Sequence, residues 1–353
     1  MELLVGSYTT GGNHGAGLSA IPLDAQGLLG EAQLLTAVED PSFLLAEGGR
    51  ALAVLEGAEG RLISFNRNDP AATLRESPVL GAAPCHLALL PDDRVLVANY
   101  ESGTVSLVSA DLEVLDTLQL HGSGPVPERQ EGPHAHQVVL TAHGTFLVSD
   151  LGADLILEVV VDCDALRIVN SSALPAGSGP RHMALRRSAG VEELLVVGEL
   201  DGRLHLLRRH LPDVPQQPDT PQQYGQASLW EYAGGVSVAT TEGDGFCAHL
   251  ALRQDSMHGD RAYVSVRGQD QLSVFALGEP QVSGSEGLPQ LVQEVATGGS
   301  WPRHFALGGG VLYVANQFTD SIVVFALTAE GLLGARLQEV QIGTPVCLVL
   351  NES

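Results

Sequence analysis

Five histidines recur at one place in a repeated pattern. His86 in PCHLAL, His136 in PHAHQV, His182 in PRHMAL, His249 in CAHLAL and His304 in PRHFAL each open an apolar run, and Phe43 and Cys347 fill the same position in PSFLLA and PVCLVL. A neutral imidazole can trade a proton near pH 7, so a ring of them admits acid–base chemistry. It equally admits a packing role, each ring hydrogen-bonding a neighbouring backbone. Arginines show a related pattern. Arg181 and Arg303 precede two of the histidines in identical PRH triplets, Arg267 ends a run in YVSVRGQD, and Arg129 lies in HGSGPVPERQEGPHAH. A guanidinium fork matches a carboxylate or phosphate, so these side chains gathered at one place would form a cationic cup for a small anion. The alternative is that each pairs with a local acid such as Glu131, Glu199 or Asp270. Glu199, in VVGELDG, reads as holding the place of Asn99, Asp150 and Asn316, where a side chain can cap a turn. Near Arg181 and Arg267 it would stay ionised and suit a base or an orienting group.

The overall composition narrows what the cup can be. The chain of 353 residues carries 18 basic and 42 acidic side chains, a formal charge of −24, and every basic residue is arginine. Without lysine there is no Schiff-base chemistry and no P-loop lysine. So acidic a molecule is not expected to bind nucleic acid or an anionic membrane. No GxSxG elbow, HExxH or EF-hand loop occurs, which leaves acyl-enzyme chemistry unsupported. Cys85, Cys163, Cys247 and Cys347 lie far apart without CxxC spacing and read as small hydrophobes. The opening MELLVGSYTTGG is acidic at once and too short in apolar residues for a secretory or spanning segment, so the reading is a soluble cytoplasmic protein.

Bringing these residues together falls to a repeat. Units begin at Pro41, Pro84, Pro133, Pro180, Cys247 and Pro302, and each holds three short apolar or alternating runs between Gly, Asp and Asn clusters. A further run usually precedes the next unit, as in GLLGEAQLLTAV. Four strands repeated at this period are the signature of a β-propeller blade, whose faces are buried only against neighbouring blades. After the sixth unit only PVCLVL remains, a first strand with nothing after it. LLVGSYT and GLSAIPL at the other end match a second and a third strand. The expectation is therefore an all-β, seven-bladed propeller of four-stranded antiparallel blades, one domain over residues 1–353, with the seventh blade closed by both termini. An irregular Pro- and Gln-rich insertion around 208–245 lengthens the fourth unit, and it should contain an exposed loop and an outer strand.

The runs VANYESGTVS, HGSGPVPERQEGPHAHQV, SDLGADLI, GSGPRHMAL, YVSVRGQDQLSVF, PRHFAL and PVCLVL resemble the seven-bladed lactonase family of bacterial 6-phosphogluconolactonases and fungal carboxymuconate cyclases. The resemblance covers essentially the whole chain. It implies a site at the channel mouth made of one histidine, two arginines and a glutamate. By motif these fall on His136, Arg181, Arg267 and Glu199 as catalytic residues, with His182, Arg303, His304 and Arg129 as substrate-binding neighbours. Two departures stand out: Val266 replaces an asparagine usual before the second arginine, and CAHLAL lacks a common acidic residue.

The chemistry implied by the resemblance is lactone hydrolysis without metal or cofactor. His136, kept neutral by adjacent guanidiniums, would take the proton of an attacking water, and Arg181 or Arg267 would stabilise the oxyanion. The substrate would be a small anionic lactone, most concretely 6-phosphogluconolactone, and the protein a monomer or weak homo-oligomer. Two other enzymatic readings remain, a cycloisomerase running the same cup backwards on an unsaturated dicarboxylic acid and a metal-dependent sugar lactonase on the histidine ring. The non-enzymatic alternative is an interaction propeller binding a protein partner through its acidic surface.

Overall fold

Clusters of Gly, Asp and Asn interrupt the Val-, Leu- and Ile-rich runs too often for packed helices, and the chain resolves into strands. The computed structural model describes residues 1–188, 190–210, 230–241, 243, 245–279 and 287–351. Among them, strands pair antiparallel into seven four-stranded sheets. Among the described residues helix is confined to Pro70–Thr73 and a 3-10 turn at Gln317–Thr319. The blade that starts at Pro180 shows the plan: an inner strand Pro180–Ser188, then Val191–Gly198, Arg203–His210 and an outer strand Glu231–Ser237. That outer strand lies within the expected insertion, whose loop at 211–229 falls outside the described residues.

The seventh sheet runs Pro345–Asn351, Glu2–Ser7, Leu18–Pro22, Gln33–Thr36, so both termini share one blade as expected. Leu3 pairs with Leu350 and Val5 with Leu348 across the join. Asp320 reinforces it from the sixth blade, accepting from Thr344 N at 2.7 Å and lying 2.7 Å from His14 Nδ1.

Because each blade is covered on both faces by neighbours, its middle strands are buried throughout rather than alternating between buried and exposed. Val95–Asn99, Phe146–Asp150 and Val191–Gly198 are buried at every residue, whereas the outer Leu333–Gln341 is largely exposed. The core is accordingly a set of layers between blades, such as Val54, Leu62 and Ile63 against Leu87, Val95 and Val97. Polar contacts between neighbouring blades fix the blade order. Ser42 Oγ donates to Pro84 O (2.8 Å), Ser149 Oγ to Arg181 O (2.7 Å), and Leu348 N to His304 Nδ1 (3.3 Å).

Inner strands begin, and second strands end, at the same end of the ring. The residue just past the second strand donates its N–H to the carbonyl preceding the inner strand: Glu56 to Asp40, Tyr100 to Ala83, Glu199 to Gly179, Gln317 to Trp301 and Tyr8 to Thr344. This register corrects the sequence alignment by one residue. Asn99 pairs with Pro84 and Asn316 with Pro302, and their equivalent beside Pro180 is Gly198, so Glu199 matches Tyr100 and Gln317 instead. A one-residue shift in an extended chain exchanges faces. Asp150 does cap its turn, accepting from His134 N, Gly152 N and Ala153 N, while Glu199 is released for the channel mouth.

Candidate functional site at the channel mouth

Each arginine of the mouth is held from behind. Gln130, fully buried, donates through Nε2 to Leu151 O and to Asp154 Oδ1, both at 2.8 Å, which seats the loop that presents Arg129. Asp154 also accepts from Gly177 N (2.7 Å) and Gly179 N (2.8 Å), so one carboxylate ties that loop to the turn launching Arg181. Gly179 sits at φ +59 with no room for a Cβ, which would come 2.5 Å from Leu200 Cγ. Arg181 donates through Nη1 to Ala248 O of the next blade. Arg267, the last residue of Arg261–Arg267, has its guanidinium carbon 5.3 Å from the Trp301 ring centroid and donates from Nη2 to Cys247 O at 3.4 Å.

These guanidiniums converge on Glu199. Oε1 lies 2.6 Å from Arg129 Nη2, and Oε2 lies 2.8 Å from Arg181 Nε and 2.7 Å from Arg267 Nη2. Burial by itself would push this carboxyl up, but Arg267, Arg181 and Arg129 overcome it and hold the group well below the usual carboxylate range. Glu199 is therefore an anion at any ordinary pH. Burial, followed by Arg267, pushes Arg181 down from the normal guanidinium range. Three cations around one buried anion leave the cluster with an excess of positive charge, while the whole chain stands at −24. Of the three acids considered as local partners, Glu199 is the one these arginines pair with, and the other two are engaged elsewhere. Glu131 lies 3.4 Å from His134 Nε2, and Asp270 accepts from Trp301 N.

Beneath the arginines the histidines pack ring on ring. His182 is central, with ring centroids 5.8 Å from His86, 5.4 Å from His136, 5.0 Å from His249 and 6.5 Å from His304. His249 stacks on His304 at 3.8 Å, and the Phe43 ring lies tilted by 31° against His86 at 4.0 Å. His182 Nδ1 lies 2.8 Å from His249 Nδ1, so one of the two rings donates there. The packing role thus accounts for most of the ring, although only His304 takes a neighbouring blade's N–H through its imidazole. Burial holds all five neutral, lowering His86 and His304 to about 3. No group of three or more His, Cys, Asp or Glu among the described residues is arranged to hold a metal ion.

His136 bridges the two layers. Its ring meets His182 below and Tyr100 edge-on at 5.7 Å, and its buried Nδ1 has no hydrogen-bond partner. Its pKa falls well below 6.5, through burial first and Arg181 second, so the adjacent guanidiniums are the lesser reason that it stays neutral.

Of the expected residues, His136, Arg181, Glu199, Arg267 and Arg129 meet in one cup, with His182 and His304 as its floor. Arg303 faces the other arc of the mouth. Its Nη2 donates to the Tyr8 hydroxyl at 2.6 Å, and that hydroxyl donates to Glu56 Oε2. Tyr8, Glu56, Tyr100 and Trp301 escaped the sequence reading. A signal was present, since Tyr8, Glu56 and Tyr100 all come just after a second strand as Glu199 does, but the one-residue misalignment hid it.

Fold and mouth together define a seven-bladed β-propeller with a cationic site built across blades. Residues 2–350 match the family described as lactonase, 7-bladed beta-propeller, and the chain belongs to that family, which makes it a lactone hydrolase. It is 28% identical to the 6-phosphogluconolactonase of Bacillus subtilis over 98% of this chain and 96% of that protein. A crystal structure of a protein from Lactobacillus plantarum superposes with a TM-score of 0.82 at 28% identity, covering 99% of both chains. The periplasmic gluconolactonase of Pseudomonas aeruginosa superposes with a TM-score of 0.80 at 25% identity, covering 99% of this chain and 98% of that one. No helix among the described residues is long and apolar enough to cross a membrane.

Proposed function

We propose that the protein hydrolyses 6-phosphogluconolactone to 6-phosphogluconate at the channel mouth. The observation that carries this reading is the convergence of Arg129, Arg181 and Arg267 on buried Glu199 beside a neutral His136. A water attacks the lactone carbonyl carbon and passes a proton to His136. The oxyanion that forms is stabilised by Arg181 or Arg267, whose guanidinium charge is in place before the reaction starts. The bond from the carbonyl carbon to the ring oxygen then breaks, and the proton on His136 goes to that oxygen, which leaves as the alcohol. Glu199 stays ionised and orients the arginines, and Arg129 holds the substrate's phosphate, with Arg303 facing the substrate from the other arc. No nucleic acid, membrane or cofactor enters this scheme, and a cytoplasmic monomer or weak oligomer is the setting proposed for it.

The similarity to a 6-phosphogluconolactonase supports the substrate, and the arginine excess supports an anionic one. The test is the decay of 6-phosphogluconolactone with purified protein against the spontaneous rate. The protein should accelerate it, and Arg181→Ala should lower kcat by about 10²–10³, the usual loss for one oxyanion donor. Turnover of an unsaturated dicarboxylate to its lactone, without hydrolysis of the sugar lactone, would replace this reading by the cycloisomerase.

A further inference from the structure

Two carboxylates face the mouth from equivalent positions past second strands, Glu199 in the fourth blade and Glu56 in the first, yet their surroundings differ. Glu199 has a side chain only 5% exposed, with three guanidiniums on it. The Glu56 side chain is 26% exposed. Its Oε2 takes the Tyr8 hydroxyl and lies 3.7 Å from Arg303 Nη2, while Oε1 has no partner among the described residues. Arg303, Tyr8 and Glu56 come from the sixth, seventh and first blades, consecutive around the ring, and the hydrogen bonds run one way, from Arg303 to Tyr8 to Glu56. The Tyr8 ring is pinned as well, 5.0 Å from the Arg303 guanidinium carbon. The chain therefore fixes the Glu56 carboxylate and leaves one oxygen open beside a channel mouth.

An ionised carboxylate oxygen can only accept hydrogen bonds. It repels phosphate and carboxylate groups and favours hydroxyl donors, so its place on the arc opposite Glu199 says what the body of the substrate carries. We infer that Glu56, held by Tyr8 and Arg303, selects polyhydroxylated lactones by accepting hydrogen bonds from their ring hydroxyls. This rests on the lactone reading of the mouth and narrows it: an unsaturated dicarboxylate lactone has no hydroxyls and would set its own charge against Glu56. A site built to bond a hydroxyl discriminates strongly against the analogue lacking it, because its polar groups are then left unpaired.

The experiment compares glucono-1,5-lactone with δ-valerolactone, the same ring size without hydroxyls, and measures binding of D-gluconate by calorimetry. In Glu56→Gln, which keeps the shape and removes the charge, the ratio of kcat/KM for the hydroxylated over the bare lactone should fall about tenfold or more, and D-gluconate should bind about tenfold more weakly. Tyr8→Phe should shift the ratio in the same direction by a smaller factor, and thermal unfolding of both variants confirms that they are folded. An unchanged ratio and unchanged D-gluconate affinity in folded Glu56→Gln would overturn the inference while leaving hydrolysis intact. Wild-type protein that binds D-gluconate, loses that affinity in Glu56→Gln and hydrolyses neither lactone would overturn the lactonase reading and leave the hydroxyl subsite standing. Wild-type protein that does neither would overturn both.

Discussion

At the scale of single residues the mouth depends on Glu199. Its carboxylate is the counter-charge for Arg181 and Arg267, whose side chains are 4% and 8% exposed. Removing one partner of a buried ion pair leaves the other uncompensated and costs about 3–5 kcal/mol. Glu199→Gln should therefore lose stability of that order in urea unfolding and most of its lactonase activity, although a glutamine fills the same space. An unchanged midpoint would mean that water already solvates the guanidiniums. The residue types of this site were legible in the sequence because PRH, SVRG and PHAHQV are chemically unusual and recur in register. Its partners on the other arc were not. Tyr8, Glu56 and Arg303 are 295 residues apart at their widest, and they meet only because the termini share a blade.

At the scale of elements, Asp154 shows how loops acquire precision from one buried group. With 5% of its surface exposed, it accepts from Gln130, Gly177 and Gly179 and so sets the Arg129 loop against the strand bearing Arg181. Asp154→Ala leaves those donors unpaired, at about 1–3 kcal/mol for a buried unsatisfied group. Steady-state kinetics should show KM rising and kcat falling together, because Arg129 and the turn that launches Arg181 both lose their anchor while His136 keeps its ring contacts. A fall in kcat alone would place Arg129 in the chemistry instead. Strand number and order were readable from the repeat, since apolar runs and turn clusters alternate in the same order in every unit although the unit length varies. The exact register was not, because VANY and VGEL align equally well by apolar pattern with or without a one-residue shift. Backbone pairing with Pro84 and Pro180 decides between them.

At the scale of the molecule, the ring closes around five neutral histidines. The unfolded chain binds protons on these side chains below about pH 6.5, whereas the folded one resists doing so, down to about 3 at His86 and His304. Native stability should then fall as pH drops below 6.5, the loss continuing toward about pH 3 at His86 and His304. Glu199, with its pKa lowered by the arginines, adds its own loss only below about 4.5. Urea unfolding at pH 7 and pH 5 separates the two, and His86→Phe should reduce the loss in that interval. Equal stability at both pH values would mean that the ring takes up protons freely. Circular closure gathers distant side chains into a cationic cup, the proposed seat of the lactone carbonyl, and a crystal structure with 6-phosphogluconate bound tests this most directly. The product carboxylate should lie within hydrogen-bond reach of Arg181 or Arg267 and beside His136. Density for the product elsewhere, with the mouth left to solvent, would contradict it.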